Sequence, residues 1–327
     1  TPVFEAINQY FPDMRIHALG DKRSSSLLEP FPYIDKIYNK NKKANTREQF
    51  GLLKLLRSVN YDLIVDLRTP FMPFLLKGKK RLIKWKKAKS DQHAVYQHFS
   101  ILEKIIPDLK EPPPCKLYLL EPFGPILKIV KQTNPPSDFF VIAPGANWSK
   151  KMWPGLNYGH LISSILKQKL VSYIFILGND IDAEIELGIE ITDPRIFDLR
   201  GKTKLSEAAY LMSKAKLFIG NDSGLGHMAA GVGCKTLTLF GPGNHSRYKP
   251  WHLDGTILLS PESNLENLEV VHVIDKLSLK YIRNKKIFWE KEPISKVLKL
   301  KKLFAFKHDG FWKSLDTQKD KVDFNKM

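Results

Sequence analysis

The second half of the chain alternates short apolar runs with amphipathic stretches, and each apolar run stops at a glycine, a proline or a polar residue. The runs predict strands at Phe139–Ala143, Tyr173–Leu177, Ile196–Asp198, Leu217–Ile219 and Lys235–Phe240. The stretches between them predict helices at Tyr158–Leu166, Asp182–Ile191, Ser206–Ser213 and Gly224–Ala230, with Ser206 as a helix cap. This regular alternation is typical of a parallel sheet with helices on both faces.

The first half alternates less regularly, and a chain of 327 residues has room for two domains. Its pattern predicts helices at Val3–Phe11, Arg47–Val59 and Val95–Ile106, and strands at Met14–Leu19 and Leu63–Leu67. Proline-rich breaks at 111–114 and 134–138 place the boundary between the domains near residues 121–138.

The net charge of +18 indicates an anionic partner: nucleic acid, an anionic membrane surface or a phosphorylated substrate. No recognised motif for DNA or RNA binding is present, so charge alone supports the nucleic-acid hypothesis. The stretch Lys77–Lys89, with eight lysines and arginines around Trp85, is the candidate patch for an anionic surface. A solvated basic loop is the alternative for that stretch, and a generally lysine-rich proteome is the alternative for the charge.

Cysteine usage and hydropathy indicate the compartment. Cys115 and Cys234 lie far apart in the sequence and predict neither a disulfide framework nor a metal site. The first ten residues lack the features of a signal peptide, and no window reaches the ~20 apolar residues of a membrane span. We therefore expect a cytoplasmic protein that meets any membrane from the side.

Ligands bind parallel sheets at the carboxyl ends of the strands, and three loops at these ends carry polar residues. The first loop, 143–154, has small residues that leave backbone N–H groups free, and its lysines Lys150 and Lys151 suit a phosphate. An ordinary surface loop with solvated lysines is the alternative.

The second loop, 220–230, leads from a strand through glycines into a helix whose N-terminus suits a diphosphate. Ala229 takes the third place of a G-x-G-x-x-G pattern, so the loop is not a dinucleotide fingerprint. A helix cap and a half-buried histidine are the alternatives for Asp222 and His227. The third loop, 178–184, offers Asp182 or Glu184 to ribose hydroxyls, or simply compensates a helix N-terminus.

Taken together, these loops resemble the lipopolysaccharide heptosyltransferases, glycosyltransferase family 9. The segments similar to that family are 199–206, 217–230, 238–242, the Pro144-Gly145 loop with Lys151 before Trp153-Pro154, and 61–68. The resemblance covers about residues 1–282 and implies an α/β GT-B fold, with two Rossmann-like domains facing a central cleft. The domains expected are 1–130 for the acceptor, 131–282 for the nucleotide-sugar donor, and a basic tail at 283–327 unrelated to the family.

The resemblance also implies roles for individual residues. Lys151 would hold the donor diphosphate and stabilise the leaving group, with Ala146 and Asn147 against the phosphates. The family often has hydroxyl residues at these last two positions, so this chain departs from the pattern there. The residues expected around the rest of the donor are Asp222, Ser223, Gly224 and His227 for the diphosphate and sugar, Asp182 or Glu184 for the ribose, and Thr203 beside the base.

The expected reaction is an inverting transfer of a sugar, heptose above others, from a nucleotide-diphospho-sugar such as ADP-heptose. The acceptor would be anionic lipopolysaccharide or a lipid-linked core at the inner membrane surface, so the protein would be peripheral to that membrane. No cofactor, no metal and no nucleic acid are expected to take part.

Two features depart from the family pattern. Family members open with a strand and a loop carrying a catalytic aspartate, which have no match here, so no general base is nominated and the first domain is expected to be incomplete at its central strand. The segment 308–321 resembles the C-terminal part of sugar-1-phosphate cytidylyltransferases, with a chance match as the alternative. A catalytically impaired remnant or fusion that only binds nucleotide-sugar is therefore the alternative to an active transferase.

Overall fold

The structure, a computed structural model, describes residues 1–21, 25–41, 43–68, 71–84, 91–106, 108–109, 111–120, 138–190, 192–252 and 255–282. Thr1–Ile274 form one compact unit, and residues from Asp275 onward belong to a second. The predicted boundary segment at 121–137, the basic residues 85–89 and the tail at 283–327 lie outside the described residues. The three domain ranges therefore remain a prediction.

The first half of the compact unit contains two separate pairs of parallel strands. Its helices are α1 (Pro2–Tyr10), α2 (Thr46–Arg57), α3 (Met72–Leu75) and α4 (Ala94–Phe99), and its strands are β1 (Ile16–Asp21), β2 (Ile34–Lys40), β3 (Tyr61–Asp66) and β4 (Gly78–Ile83). Strand β1 pairs only with β2, and β3 only with β4, in the described part of the chain. A small core of buried apolar side chains, including Ala6, Leu82 and Leu102, packs α1 and α4 against these strands.

A cavity of about 270 Å³ is lined by both β1, through His17–Leu19, and β3, through Leu63–Asp66. These two parallel pairs are not joined into one sheet.

The second half builds a six-stranded parallel sheet. Its strands are β5 (Phe139–Ala143), β6 (Tyr173–Ile176), β7 (Ile196–Asp198), β8 (Leu217–Asn221), β9 (Thr236–Phe240) and β10 (Gly255–Leu259), in the order β10-β9-β8-β5-β6-β7. Its helices are α5 (Gly155–Lys167), α6 (Leu205–Lys214), α7 (Gly224–Gly231), α8 (His245–Tyr248) and α9 (Val270–Ile282). All five predicted strands are confirmed, because continuous apolar runs such as Phe139–Ala143 are buried on both faces.

One predicted helix is wrong. Residues 182–191 were expected to be helical, but only a short 3-10 turn forms at Ile181–Glu184, and no helix follows in the described residues to 190. The Arg200 guanidinium binds the carbonyls of Asp182 and Ile185 at 3.0 and 2.7 Å, which takes the acceptors that a helix would use. Gly188 then adopts a φ of 61°, a left-handed conformation that favours glycine and does not continue a helix.

Two smaller expectations also need correction. Helix α6 begins at Leu205 rather than at Ser206, and the Glu207 carboxylate accepts the Lys204 N–H at 2.7 Å, so Ser206 is not the cap. Half of the basic stretch is strand β4, because Leu82 and Ile83 are buried in the first core while the lysines before them point to solvent. The helix predicted at 95–106 is α4 followed by a 3-10 turn at Ser100–Lys104.

None of the helices in the described part of the chain combines the length and the apolar character of a membrane span.

Candidate functional site

The candidate site lies where the strand order of the large sheet reverses. From β5 the chain continues outward through β6 and β7, and it then returns to the other side of β5 to form β8. Ala143 at the end of β5 pairs with Gly220 near the end of β8. The loops after these two strands therefore start side by side, at the switch point where open α/β sheets bind ligands.

Hydrogen bonds from the Asn221 side chain, at the end of β8, hold the loop after β5 beside it. This fully buried side chain donates from Nδ2 to the Pro144 carbonyl at 2.6 Å. Its Oδ1 accepts from the Trp153 backbone N–H at 3.0 Å and from the Tyr158 hydroxyl at 2.9 Å. Burial raises the pKa of Tyr158, so its hydroxyl stays a donor. Sequence reasoning gave Asn221 no role, although an amide at a strand end before an aspartate is the signal that marks it.

The lysine and the aspartate predicted to serve the diphosphate form an ion pair. Lys151 closes the 3-10 turn Ser149–Lys151, and its Nζ lies 2.5 Å from Asp222 Oδ2. The Asp222 side chain is 7% exposed and that of Lys151 is 27% exposed. The ammonium therefore covers the carboxylate and keeps one side open to a ligand.

A third loop approaches this pair closely. A Cβ atom at Gly243, in the loop after β9, would lie 2.9 Å from Asp222 Oδ2 and 3.7 Å from Lys151 Cε. Only a glycine leaves the ion pair undisturbed at that position. Sequence reasoning assigned Gly243 no role at the site.

A cavity of about 750 Å³ opens beside the ion pair. Six of the predicted donor-binding residues line it, namely Ala146, Asn147, Asp182, Thr203, Ser223 and Gly224. Ser223 immediately precedes α7, and its buried hydroxyl has no hydrogen-bond partner within the described part of the chain. A free hydroxyl beside the first N–H groups of a helix is suited to receive an anionic oxygen.

Of the two carboxylates proposed for a ribose, Asp182 lines the cavity and Glu184 does not. Asp182 Oδ2 accepts the Asn179 N–H at 2.8 Å, and the Asp182 N–H donates to Asn179 Oδ1 at 3.0 Å. A Cβ at Gly145 would lie 2.0 Å from Asp182 Oδ1, so this carboxylate reaches the first loop. Glu184 is exposed and does not line the cavity.

One wall of the cavity is apolar. Its side chains come from the β6 end, α6 and α7, with one from the first half, and they are Leu177, Leu205, Ala208, Leu225, Met228 and Leu27. Thr203 also lines the cavity. An apolar wall with a few polar groups at its border fits a flat heterocyclic base.

His227 stands apart from the cavity lining, on the Asp222 side of α7. Its side chain reaches solvent, but surrounding protein crowds the imidazole and displaces water from it. This crowding lowers the pKa of His227, and the Asp222 carboxylate opposes the shift. The histidine is therefore a neutral hydrogen-bonding group near the ion pair.

The first half of the chain completes the cavity. Asp21 at the end of β1, Leu27 and Arg68 line it together with the second-half residues. Asp21 and Arg68 were not predicted as site residues, because the sequence does not reveal which strand ends of one half face the other half. The cavity therefore lies between the two halves.

Among the described residues, no three histidine, cysteine, aspartate or glutamate side chains gather closely enough to hold a metal ion. The expectation of a reaction without metal or cofactor stays a prediction.

Comparisons with known proteins point to one family. Residues 50–277 match the family described as glycosyltransferase family 9 (heptosyltransferase). A lipopolysaccharide heptosyltransferase 3 of Escherichia coli strain K12 is 28% identical over 306 residues, which cover 84% of this chain and 87% of that protein. Another from Escherichia coli is 30% identical over 287 residues, which cover 77% and 82%.

Solved structures share the fold. The E. coli ADP-heptose LPS heptosyltransferase II superimposes with a TM-score of 0.70 at 18% identity, covering 87% of this chain and 94% of that one. The E. coli heptosyltransferase WaaC with ADP gives a TM-score of 0.68 at 17% identity, covering 85% and 93%. The predicted α/β GT-B fold is confirmed.

Proposed function

Because this chain belongs to glycosyltransferase family 9, the heptosyltransferases, we propose that it transfers a heptose from a nucleotide-diphospho-sugar to the core of a bacterial lipopolysaccharide. The observation that carries the proposal is one shared cleft. The N-terminus of α7, the Lys151 ammonium and the Asp182 carboxylate all stand around or beside the cavity at the switch point.

We propose that the donor diphosphate binds at the start of α7. The unpaired N–H groups there and the helix dipole favour negative charge, and the Ser223 hydroxyl adds a donor. Lys151 carries three N–H donors, so it can keep Asp222 and still reach a phosphate oxygen. The Asp222 carboxylate thereby fixes the ammonium in the direction of the donor.

The nucleoside extends along the cavity away from the ion pair. The Asp182 carboxylate, fixed by Asn179, accepts hydrogen bonds from ribose hydroxyls, and the base lies on the apolar wall beside Thr203. One solved structure of similar fold is named as an ADP-heptose LPS heptosyltransferase, and another is of WaaC with ADP. These names support adenine as the base and ADP-heptose as the donor.

The chemistry is a single displacement at the anomeric carbon. An acceptor hydroxyl attacks from the face opposite the diphosphate, so that a new carbon–oxygen bond forms as the bond to the phosphate oxygen breaks and the configuration inverts. The charge that develops on the leaving diphosphate is stabilised by Lys151 and the start of α7. The hydroxyl proton passes to a general base, a role that we assign to no residue.

The acceptor binds on the side of the cleft formed by the first half. A lipopolysaccharide core is anionic, and a net charge of +18 favours its approach and that of the anionic membrane surface that carries it. We infer that the protein acts at the cytoplasmic face of the inner membrane.

Turnover tests the proposal. ADP-heptose and a heptose-deficient lipopolysaccharide core are mixed with the chain, and the products are followed by ADP release and by mass spectrometry of the core. The proposal expects ADP release that depends on the acceptor and a core heavier by one heptose. Binding of ADP-heptose without any product would instead identify a protein that only binds the donor, and failure to bind ADP, in a folded sample, would contradict the donor site as well.

A further inference from the structure

Four basic side chains from three parts of the chain gather at the first-half side of the cleft. Arg68 follows β3, Lys84 follows β4, His98 lies on α4, and Arg247 lies on α8 of the second half. The Lys84 N–H binds the Asp66 carbonyl at 3.2 Å, which aligns the ends of β3 and β4. We call Arg68, Lys84, His98 and Arg247 the basic cluster.

The partners of the cluster are neutral. Lys84 Nζ donates to His98 Nε2 at 3.2 Å. Arg247 donates to Gln97 Oε1 at 2.9 Å and to the Tyr248 hydroxyl at 3.1 Å. In the described part of the chain, no salt bridge joins Arg68, Lys84 or Arg247 to a carboxylate.

The Asp66 carboxylate offsets this charge only in part. Asp66 Oδ1 accepts the backbone N–H of Arg68 at 2.7 Å. Burial lowers the pKa of Lys84, and the Arg247 charge lowers it further, while Asp66 only opposes the shift. Burial and the Lys84 charge lower the pKa of His98 to about 4, so this histidine is neutral and adds no repulsion.

The cluster adjoins the donor cavity. Arg68 is part of its lining, as are Ser223 and Gly224. An anion held by the cluster would therefore sit beside the place where the acceptor meets the donor sugar. Positive groups that form no salt bridge at the edge of a cleft are a common basis of anion recognition.

We propose that the basic cluster binds a phosphate monoester on the acceptor sugar. Arginine supplies a planar fork that matches phosphate oxygens, and lysine supplies a point charge. Three cations that contact a dianion from both halves of the cleft would orient the acceptor. The inference rests on the proposed function for the identity of the acceptor, but the anion site itself does not depend on turnover.

Isothermal titration with glucose 6-phosphate, with inorganic phosphate as a second probe, tests the site. Lys151→Gln is the background for every variant, since the diphosphate site would otherwise bind the same probes. We expect Lys84→Gln and Arg247→Gln each to weaken the binding of the phosphate monoester about tenfold or more. The matched control is Lys79→Gln, on an exposed position of β4.

Other outcomes of this titration, and one control variant, test the proposal further. Equal affinity in Lys84→Gln, Arg247→Gln and the control, or no binding in the parent, would overturn it. Lys84→Arg keeps the charge and should retain binding, which separates a lost contact from a lost fold. ADP is titrated into the chain with Lys151 intact. Failure to bind ADP there, while the Lys151→Gln background still binds the phosphate monoester, would refute the proposed function and leave the anion site standing.

A membrane headgroup is the other source of phosphate. Co-sedimentation with vesicles of phosphatidylglycerol measures that contact, and we expect Lys84→Gln and Arg247→Gln to leave it unchanged. If the two variants weaken vesicle binding alone and spare glucose 6-phosphate, the cluster is a membrane contact and the proposal is wrong.

Discussion

Lys151 and Asp222 are 71 residues apart in the sequence, yet the lysine Nζ lies 2.5 Å from the aspartate Oδ2. The contact depends on neighbouring strands, because β5 and β8 deliver their loops to the same edge of the sheet. The side chain of Asn221, one residue before Asp222, hydrogen-bonds to the loop after β5 at Pro144 and at Trp153. The ion pair is thus held by the sheet rather than by local sequence.

Replacing Lys151 should separate catalysis from stability. Lys151→Gln removes the charge that faces the leaving group, and we expect kcat to fall roughly 10²-fold or more. It also leaves the Asp222 carboxylate unpaired, so the free energy of unfolding should fall by about 1–3 kcal/mol. Steady-state kinetics and urea denaturation measure the two effects, with the neighbouring exposed Lys150→Gln as control.

The double variant Lys151→Gln, Asp222→Asn completes this test. Removing both charges should recover most of the lost stability without recovering activity, because no buried carboxylate is left unpaired. Recovery of both quantities would show that Lys151 acts only through the fold.

Asn221 should be a structural hub. Asn221→Leu keeps the size of the side chain but leaves the Pro144 carbonyl, the Trp153 N–H and the Tyr158 hydroxyl without partners. We expect the free energy of unfolding to fall by about 3 kcal/mol or more. Denaturation of Asn267→Leu, at an exposed position, is the comparison, and equal losses would argue against a hub.

Alanine at two glycines of the cavity should change stability differently, although it should weaken ADP binding at both. Gly145→Ala places a Cβ 2.0 Å from Asp182 Oδ1, so the carboxylate must leave Asn179, and both stability and ADP affinity should fall. A Cβ at Gly224 meets no atom within 4 Å, and alanine favours a helix by about 1 kcal/mol over glycine.

Gly224→Ala should therefore be at least as stable as the parent and yet bind ADP more weakly, since the new methyl group enters the space of the diphosphate. Thermal denaturation and titration with ADP measure this contrast. Unchanged ADP affinity in Gly224→Ala would place the diphosphate elsewhere.

Acid should destabilise the protein partly through His98. Its pKa is about 4 in the folded state and near 6.5 in the unfolded chain, so the unfolded state binds the proton first. Stability contributed by the neutral histidine is present above pH 6.5 and is lost as the pH falls toward 4, at no more than about 1.4 kcal/mol per pH unit.

His98→Gln should flatten this part of the stability profile, measured by urea denaturation from pH 7 to 4 in buffer without phosphate. The exposed His160→Gln should leave the slope as it is in the parent. A slope that His98→Gln does not change would show that the imidazole is not held neutral by its surroundings.

The local sequence pattern predicted most of the large sheet. Short runs such as Phe139–Ala143 are apolar on both faces, which is typical of a buried parallel strand. The pattern failed at Asp182–Ile191, where the deciding contact comes from Arg200 on a later loop. The pattern also failed to predict β4. Most residues of that strand are basic or polar, and only Leu82 and Ile83 at its end are buried.

The candidate site was predictable in part for the same reason. Residues at the ends of β5 and β8 belong to one half of the chain, so the motif and the strand order bring Ala146, Ser223 and Gly224 together. Choosing Asp182 over Glu184 needed the orientation of a turn, and finding Asp21 and Arg68 needed the packing of one half against the other. No periodicity in the sequence encodes those relationships.

A crystal structure of the chain with ADP tests the central claim most directly, through the position of the diphosphate. The account predicts phosphate oxygens within hydrogen-bond distance of Lys151 Nζ and of the first N–H groups of α7, with the ribose on Asp182. ADP bound away from both Lys151 and the start of α7 would contradict it.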